Sequence, residues 1–285
     1  MGNRISIVIP TKNEERRIET LLKSIRDAKF RGEVIVVDAN SKDKTRYIAK
    51  KYRATVIDEK PPHSLPSARN QGIDASVGDV VILLDADNEI TKNFFARLRE
   101  GKNWDALRLK EIKAQDTFIE KIYSLRSFRR EYSAIPYIFR REILEKIKFD
   151  PSLGLREDVD FFSRVSKLKI RVRNSNAAII VHSIHTFDEM VRQMKWYGRT
   201  SLAAFRKSGD FRIFGILAFI ILPALFLQVP FWLKALSLPM WLYEVYLFAR
   251  SKSVVGVLFP AFDFIRSLLF LIGILESAFA KRTSR

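Results

Sequence analysis

Asp79-Val80-Val81-Ile82-Leu83-Leu84-Asp85-Ala86-Asp87 is the stretch on which the reading of the fold turns. Five apolar residues in a row describe a strand buried on both faces, the kind found in parallel sheets. The run stops at two carboxylates with one small residue between them. In an open α/β sheet, ligands bind just beyond the carboxyl ends of strands. Acids placed there at i and i+2 can lean toward one ligand. Their chemical use is to hold a divalent cation against a diphosphate, because hard cations take carboxylate and phosphate oxygens. A solvated Asp-rich turn is the competing explanation, so the flanking sequence decides.

Upstream, Ile5-Ser6-Ile7-Val8-Ile9 is β-branched and apolar, and Pro10 is expected to end it. Asn13-Glu14-Glu15 opens a helix whose Ile18, Leu21, Leu22 and Ile25 fall on one face. Val34 to Val37 is a second strand, ending in the polar turn Asp38 to Asp43, and a helix with Ile48 and Ala49 follows. Thr55-Val56-Ile57 is a short third strand. Residues 59–66 hold three prolines and His63 and read as a loop, and Ser67 to Ala75 reads as a helix. Strands alternating with helices predict an α/β fold with a mostly parallel, doubly wound sheet.

Downstream, Thr91 is expected to cap a helix burying Phe94, Phe95 and Leu98, and Trp104 to Leu109 to form a strand. Residues 113–135 mix aromatic and basic side chains, as in a half-buried helix or one lying on a membrane surface. Glu157 opens a helix with Val165 and Leu168 on its apolar face. Ile170 to Val172 and Ala178 to Val181 are strand-like.

The chain has 285 residues, with Lys+Arg 50 against Asp+Glu 32, a formal charge of +18. Such a balance favours phosphorylated substrates, anionic lipid or nucleic acid. The absence of cysteine excludes disulfides and thiolate metal sites. No zinc spacing or RNA-binding signature is present, and the acids gather at strand ends where a nucleic-acid groove wants bases; nucleic acid is therefore not the expected partner. The character changes after residue 192. Residues 192–212 are strongly basic, and the twenty-one residues 213–233 carry no charge. At 1.5 Å per residue they reach about 32 Å, enough to cross the hydrocarbon. Residues 235–249 are apolar but short, and residues 254–280 are long enough to span, though Pro260, Asp263 and Arg266 interrupt them. Basic flanks mark the cytoplasmic side. The expectation is a multi-pass membrane protein with its first 200 residues and C-terminus inside, two crossings, and a remaining interfacial or broken segment.

Five stretches, taken in order, resemble the family 2 glycosyltransferases: Ile7 to Glu15, Val36 to Thr45, Ala68 to Ile73, Gly78 to Asp87 and Arg156 to Asp160. The resemblance covers roughly residues 4–200. It implies the GT-A fold over residues 1–200, followed by a basic juxtamembrane helix and membrane or interfacial helices over 201–285. It implies inverting transfer of a sugar from a nucleotide-sugar, with Mg²⁺ or Mn²⁺. Carried over by position, Pro10, Lys12 and Glu14 touch the nucleoside, and Asp38 lies in the turn that contacts the base. Ala39 stands where many relatives have a second acid. Arg69 lies near the nucleotide. Within Asp85-Ala86-Asp87, Asp85 is the ribose-side acid and Asp87 the metal ligand, joined by His182 near the metal. Asp158, in the Glu157-Asp158 pair, is the catalytic base, with Asp160 turned elsewhere on the helix. Arg192 to Trp196 departs from the Gln-x-x-Arg-Trp motif of processive relatives, while Lys195, Trp196 and Arg199 remain candidates to close over diphosphate or acceptor.

Membrane attachment points to a lipid-borne acceptor. A sugar hydroxyl needs a base and an ionised phosphate does not. The Glu157-Asp158 pair therefore leans toward the hydroxyl of a lipid-linked glycan, with polyprenyl phosphate as the alternative acceptor. A membrane-bound nucleotide or nucleic-acid binder without transferase activity is the reading from a different class.

Overall fold

In a computed structural model, the described residues are 4–98, 103–121, 131–133, 135–153, 157–182, 186–208 and 259–280. They divide into two compact units, residues 1–114 with 129–182, and residues 115–128 with 183–285.

The first unit is built on the quoted run. Val80–Leu83 is strand β4, and all four of its residues are buried. It pairs parallel with β1 (Ile5–Thr11), which pairs parallel with β2 (Glu33–Asp38), and β2 with β3 (Thr55–Asp58). Beyond β4 the sheet is mixed. The full order is β3-β2-β1-β4-β7-β6-β8-β5, with β5 Asn88–Ile90, β6 Ala106–Lys113, β7 Ile138–Arg140 and β8 Val172–Val181. Strand β7 runs antiparallel between β4 and β6, while β6 and β8 are parallel. Two three-residue strands, β5 and β7, are too short for a periodic signal. Strand β8 is continuous where the sequence shows two apolar pieces. The polar residues between them include exposed Arg173, Asn174 and Asn176, and the register against β6 shifts between Arg108 and Lys110.

Each face of the sheet is covered. Helices α1 (Ile18–Asp27), α2 (Thr45–Lys51) and α4 (Phe94–Leu98) bury Ile18, Leu21, Ile48, Ala49, Phe94 and Leu98 against Ile7, Ile9, Val36 and Ile82. Helices α3 (Leu65–Ala75), α5 (Arg141–Lys146) and α6 (Glu157–Ser166) bury Ala68, Ile73, Ile143, Leu144, Phe161 and Val165 against Val8, Val37 and Val81. A fully buried side chain of this size contributes about 1.5–3 kcal/mol. Four local expectations change. Strand β1 continues through Pro10 to Thr11. Val8 carbonyl accepts from Leu84 and Thr11 carbonyl from Ala39, so alternation puts the Pro10 nitrogen on the β4 side, where the ladder has ended. Helix α3 starts inside the expected loop because Ser64 caps it, its hydroxyl accepting from Ser67 N–H, and Pro66 fits its first turn. Leu168 lies past the end of α6 and is exposed, and the Thr91 hydroxyl donates to Ala178 carbonyl.

In the second unit, α7 (Phe187–Ser208) and α8 (Phe259–Ala280) touch backbone to backbone. A Cβ at Gly198 would overlap Phe270 carbonyl, and one at Gly273 would overlap Lys195 carbonyl. Met190 and Met194 are buried against Ile119, Tyr197 and Leu269. Glu276 takes Lys195 (3.1 Å) and Arg199 (3.2 Å), so these two expected ligand contacts are engaged within the helix pair. Trp196 is exposed.

Among the described residues no helix is long and apolar enough to cross a membrane. This corrects the expectation for the last apolar stretch: α8 carries Asp263, Arg266 and Glu276 within 22 residues. Residues 213–233 and 235–249 lie outside the described residues.

Gly72 sets how closely α3 approaches the sheet, since a Cβ there would overlap Val8 Cγ1. Gly72→Ala is therefore expected to destabilise by about 1–3 kcal/mol through overpacking, despite alanine's better helix propensity. Urea melts check this.

Candidate functional site

The acids after β4 are held in a fixed turn by Asn88. Its Oδ1 accepts from Asp85 N–H (3.0 Å), its Nδ2 donates to Asp87 Oδ1 (3.0 Å), and its own N–H donates to Asp85 carbonyl (3.0 Å). Asn88 is a residue the motif reading missed; asparagine beside a turn was its only signal. Ala86 points into the core at 5% exposure, which is why a small residue separates the acids. Burial, with Asp85 and Glu14 adding negative charge, pushes the Asp87 carboxyl up to about 7, against the opposing charge of Arg17. Glu14 and Arg17, 3.9 Å apart, thus belong to the electrostatics of this corner. His182 joins it through the backbone, donating its N–H to Asp87 carbonyl (2.9 Å), while its Nε2 meets Glu89 Oε2 (3.2 Å).

Arg69 ties this corner to α6. Buried on α3, it reaches Asp85 (2.8 Å) with one nitrogen and Glu157 (3.1 Å) with the other, and its guanidinium lies 5.4 Å from the Phe149 ring centroid. Although burial opposes its charge, Asp85, Glu157 and Asp158 together raise the Arg69 pKa further above its ordinary value. Glu157 is raised as well, because burial and Asp158 outweigh the attraction of Arg69. The Glu157-Asp158 pair therefore stands beside the β4 acids. Asp158 is half-buried and Asp160 is bound by Arg164 (2.8 and 3.0 Å), as its helical position predicts.

The other motif residues serve mainly to lock two loops together. Asn13 N–H donates to Ser41 Oγ (2.8 Å), and Asn13 Oδ1 accepts from Lys42 N–H (2.8 Å). Glu14 N–H donates to Thr45 Oγ1 (2.8 Å), and Glu15 N–H to Asp43 Oδ2 (3.1 Å). Asn13 and Asn40 have φ of 57° and 56°, the left-handed region that asparagine tolerates. Asp38 is buried, and its Oδ2 accepts from Ser41 N–H (3.0 Å) and Arg46 (3.1 Å); Arg46 also binds Asp58. Pro10 is buried in β1, and Lys12 is exposed at its end.

Among the described residues no group of three or more His, Asp or Glu side chains forms a metal-ligand set. The chemistry of Asp85 and Asp87 nevertheless fits a divalent cation. They are hard oxygen donors on one locked turn, and the half-buried Asp87 carries a charge cost that a cation would relieve. The arrangement can place a cation and a diphosphate at the end of β4 with a carboxylate beside them.

Residues 6–104 match the family model for glycosyl transferase family 2. Over those residues the chain is similar to that family. It is 29% identical over 208 residues to the probable glycosyltransferase YdaM of Bacillus subtilis, covering 62% of this chain and 50% of that protein. It is 32% identical over 105 residues to the dolichol-phosphate mannosyltransferase of Pyrococcus furiosus, covering 34% and 30%. The chain thus spans about half or less of these relatives. The mannosyltransferase PcManGT of Pyrobaculum calidifontis, solved with GDP-Man and Mn²⁺, has the same fold, with a TM-score of 0.58 at 17% identity over 94% of this chain and 88% of that one.

Two predictions come from this geometry. The Asp87 carboxyl titrates near 7 when folded and near its ordinary 3.8 when unfolded. Between these values the folded state holds a proton the unfolded state has lost, so stability falls as pH rises through that window. Asp87→Asn is expected to raise the melting temperature of metal-free protein at pH 8, with the gain shrinking toward pH 5, and to abolish stabilisation by added Mn²⁺. Arg69→Gln leaves two acids without their cation and is expected to cost about 3 kcal/mol in denaturant melts. Arg69→Lys recovers only part, since an ammonium lacks the fork that spans two carboxylates.

Proposed function

We propose that the chain is an inverting glycosyltransferase that moves a sugar from a nucleotide-sugar to a hydroxyl of a lipid-linked glycan. The observation that carries this is the Arg69 bridge, which sets the Glu157-Asp158 pair beside the acids of β4. Asp85 and Asp87 would hold Mg²⁺ or Mn²⁺, which when bound supplies charge neutralisation to the departing diphosphate. Asp158 takes the proton of the acceptor hydroxyl as its oxygen bonds to the anomeric carbon. The bond from that carbon to the diphosphate breaks on the opposite face, and the nucleoside diphosphate leaves with the electron pair. Lys12, exposed at the end of β1, is suited to contact the nucleotide.

A phosphate acceptor is the second reading, favoured by the likeness to the dolichol-phosphate mannosyltransferase of Pyrococcus furiosus. Asp158→Asn separates the two. With a hydroxyl acceptor, turnover is expected to fall about 10²–10⁴-fold while nucleotide-sugar binding persists. Turnover of a polyprenyl-phosphate acceptor that survives the substitution establishes the second reading instead.

We also place the protein at the cell membrane, with residues 1–200 on the cytoplasmic side. The support is the uncharged run 213–233 behind a basic stretch. Release of the full chain from membranes by alkaline carbonate would overturn this placement.

A further inference from the structure

We infer that Glu111 and Tyr137 select the sugar of the donor by receiving hydroxyl groups of a neutral hexose held beside Asp85 and Asp87. This rests on the nucleotide-sugar reading above. The antiparallel strand β7 makes the arrangement. Tyr137 immediately precedes it, and its backbone is stitched between two strands. Its carbonyl accepts from Leu83 N–H (2.8 Å), two residues before Asp85, and its N–H donates to Leu107 carbonyl (3.0 Å) on β6. The Tyr137 hydroxyl donates to Glu111 Oε1 (3.4 Å), and Glu111 Oε2 accepts from Lys113 Nζ (3.3 Å).

Strand register brings the same group to the acids from the other side. Lys113 lies opposite Val181 on β8, and Val181 opposite Asn88 on β5, the residue that fixes the Asp85–Asp87 turn. Burial, Glu111, Asp85 and Asp87 keep the phenol protonated well past its ordinary range, with Arg69 opposing. The acids therefore reach it electrostatically, and it stays a donor at working pH. Nothing in the proposed transfer uses these groups.

The chemistry suits a polyol. A carboxylate accepts several O–H bonds, and a phenol that donates one bond still accepts another. Lys113 offsets the Glu111 charge, so a neutral ligand meets a nearly neutral wall. A hexose epimer with a hydroxyl turned away leaves one of these polar groups unmet, which is how such sites discriminate.

The test is calorimetric titration of the full-length protein with Mn²⁺, using UDP, GDP, UDP-glucose, UDP-galactose and GDP-mannose on wild type, Tyr137→Phe and Glu111→Gln. For both variants, affinity for the bare diphosphate is expected to stay within about twofold, while that for the preferred sugar donor falls about tenfold and discrimination between epimers narrows. Unchanged sugar-donor affinity, or equal weakening of donor and bare diphosphate, overturns the inference and leaves the transferase reading standing. A wild type that binds no nucleoside diphosphate overturns both. Melting curves confirm folding; should Tyr137→Phe not fold, Glu111→Gln at its partly exposed position carries the same test.

Discussion

A guanidinium buried between two carboxylates from distant parts of the chain holds the candidate site together. Arg69 lies on a helix packed against β1 and β2, while Asp85 ends a central strand and Glu157 starts a helix seventy-two residues later. Neither acid is positioned against the other by local structure. A cation with planar, divergent donors meets both at once, and its burial makes the arrangement costly to break. The surrounding packing exists to deliver that arginine: Gly72, one turn further along α3, lets the helix close on Val8. Ser64 and Pro66 fix where the helix begins.

A second constraint governs the opposite wall. The loops after β1 and β2 bind each other through backbone amides and short polar side chains, from Asn13 to Ser41 and from Glu14 to Thr45. Polar motif residues are thus spent on holding loop shape, and Asp38 is among them, its carboxylate occupied by Ser41 and Arg46. Ligand-facing capacity is left to groups such as Lys12 and to the corner around Asp87. A motif residue can matter to binding by fixing a loop as much as by touching what binds.

Much of the first half was legible because each element carries its own signal. Ile18, Leu21, Leu22 and Ile25 repeat at helical spacing and are all buried. Val80 to Leu84 reads as a central strand, and its burial agrees. The second half was less legible for definite reasons. Strands β5 and β7 owe their existence to neighbours, β8 and β4, and three residues hold no periodicity. Strand β8 hides its continuity behind polar residues on an exposed face. In α8, hydropathy resembled a membrane segment, yet Asp263, Arg266 and Glu276 leave it short of one.

The sequence by itself determined the alternation of strands and helices, the acids at the end of the buried run, and the Glu157-Asp158 pair at a helix start. These depend on period, composition and local turn chemistry, all written over a few adjacent residues. Tertiary structure alone decided that Arg69 joins those acids, that Asn88 locks their turn, and that Tyr137 reaches Glu111 beside them. Such contacts join residues up to 88 positions apart. No local pattern encodes them, because they arise only when strand order and register bring separate elements to one end of the sheet.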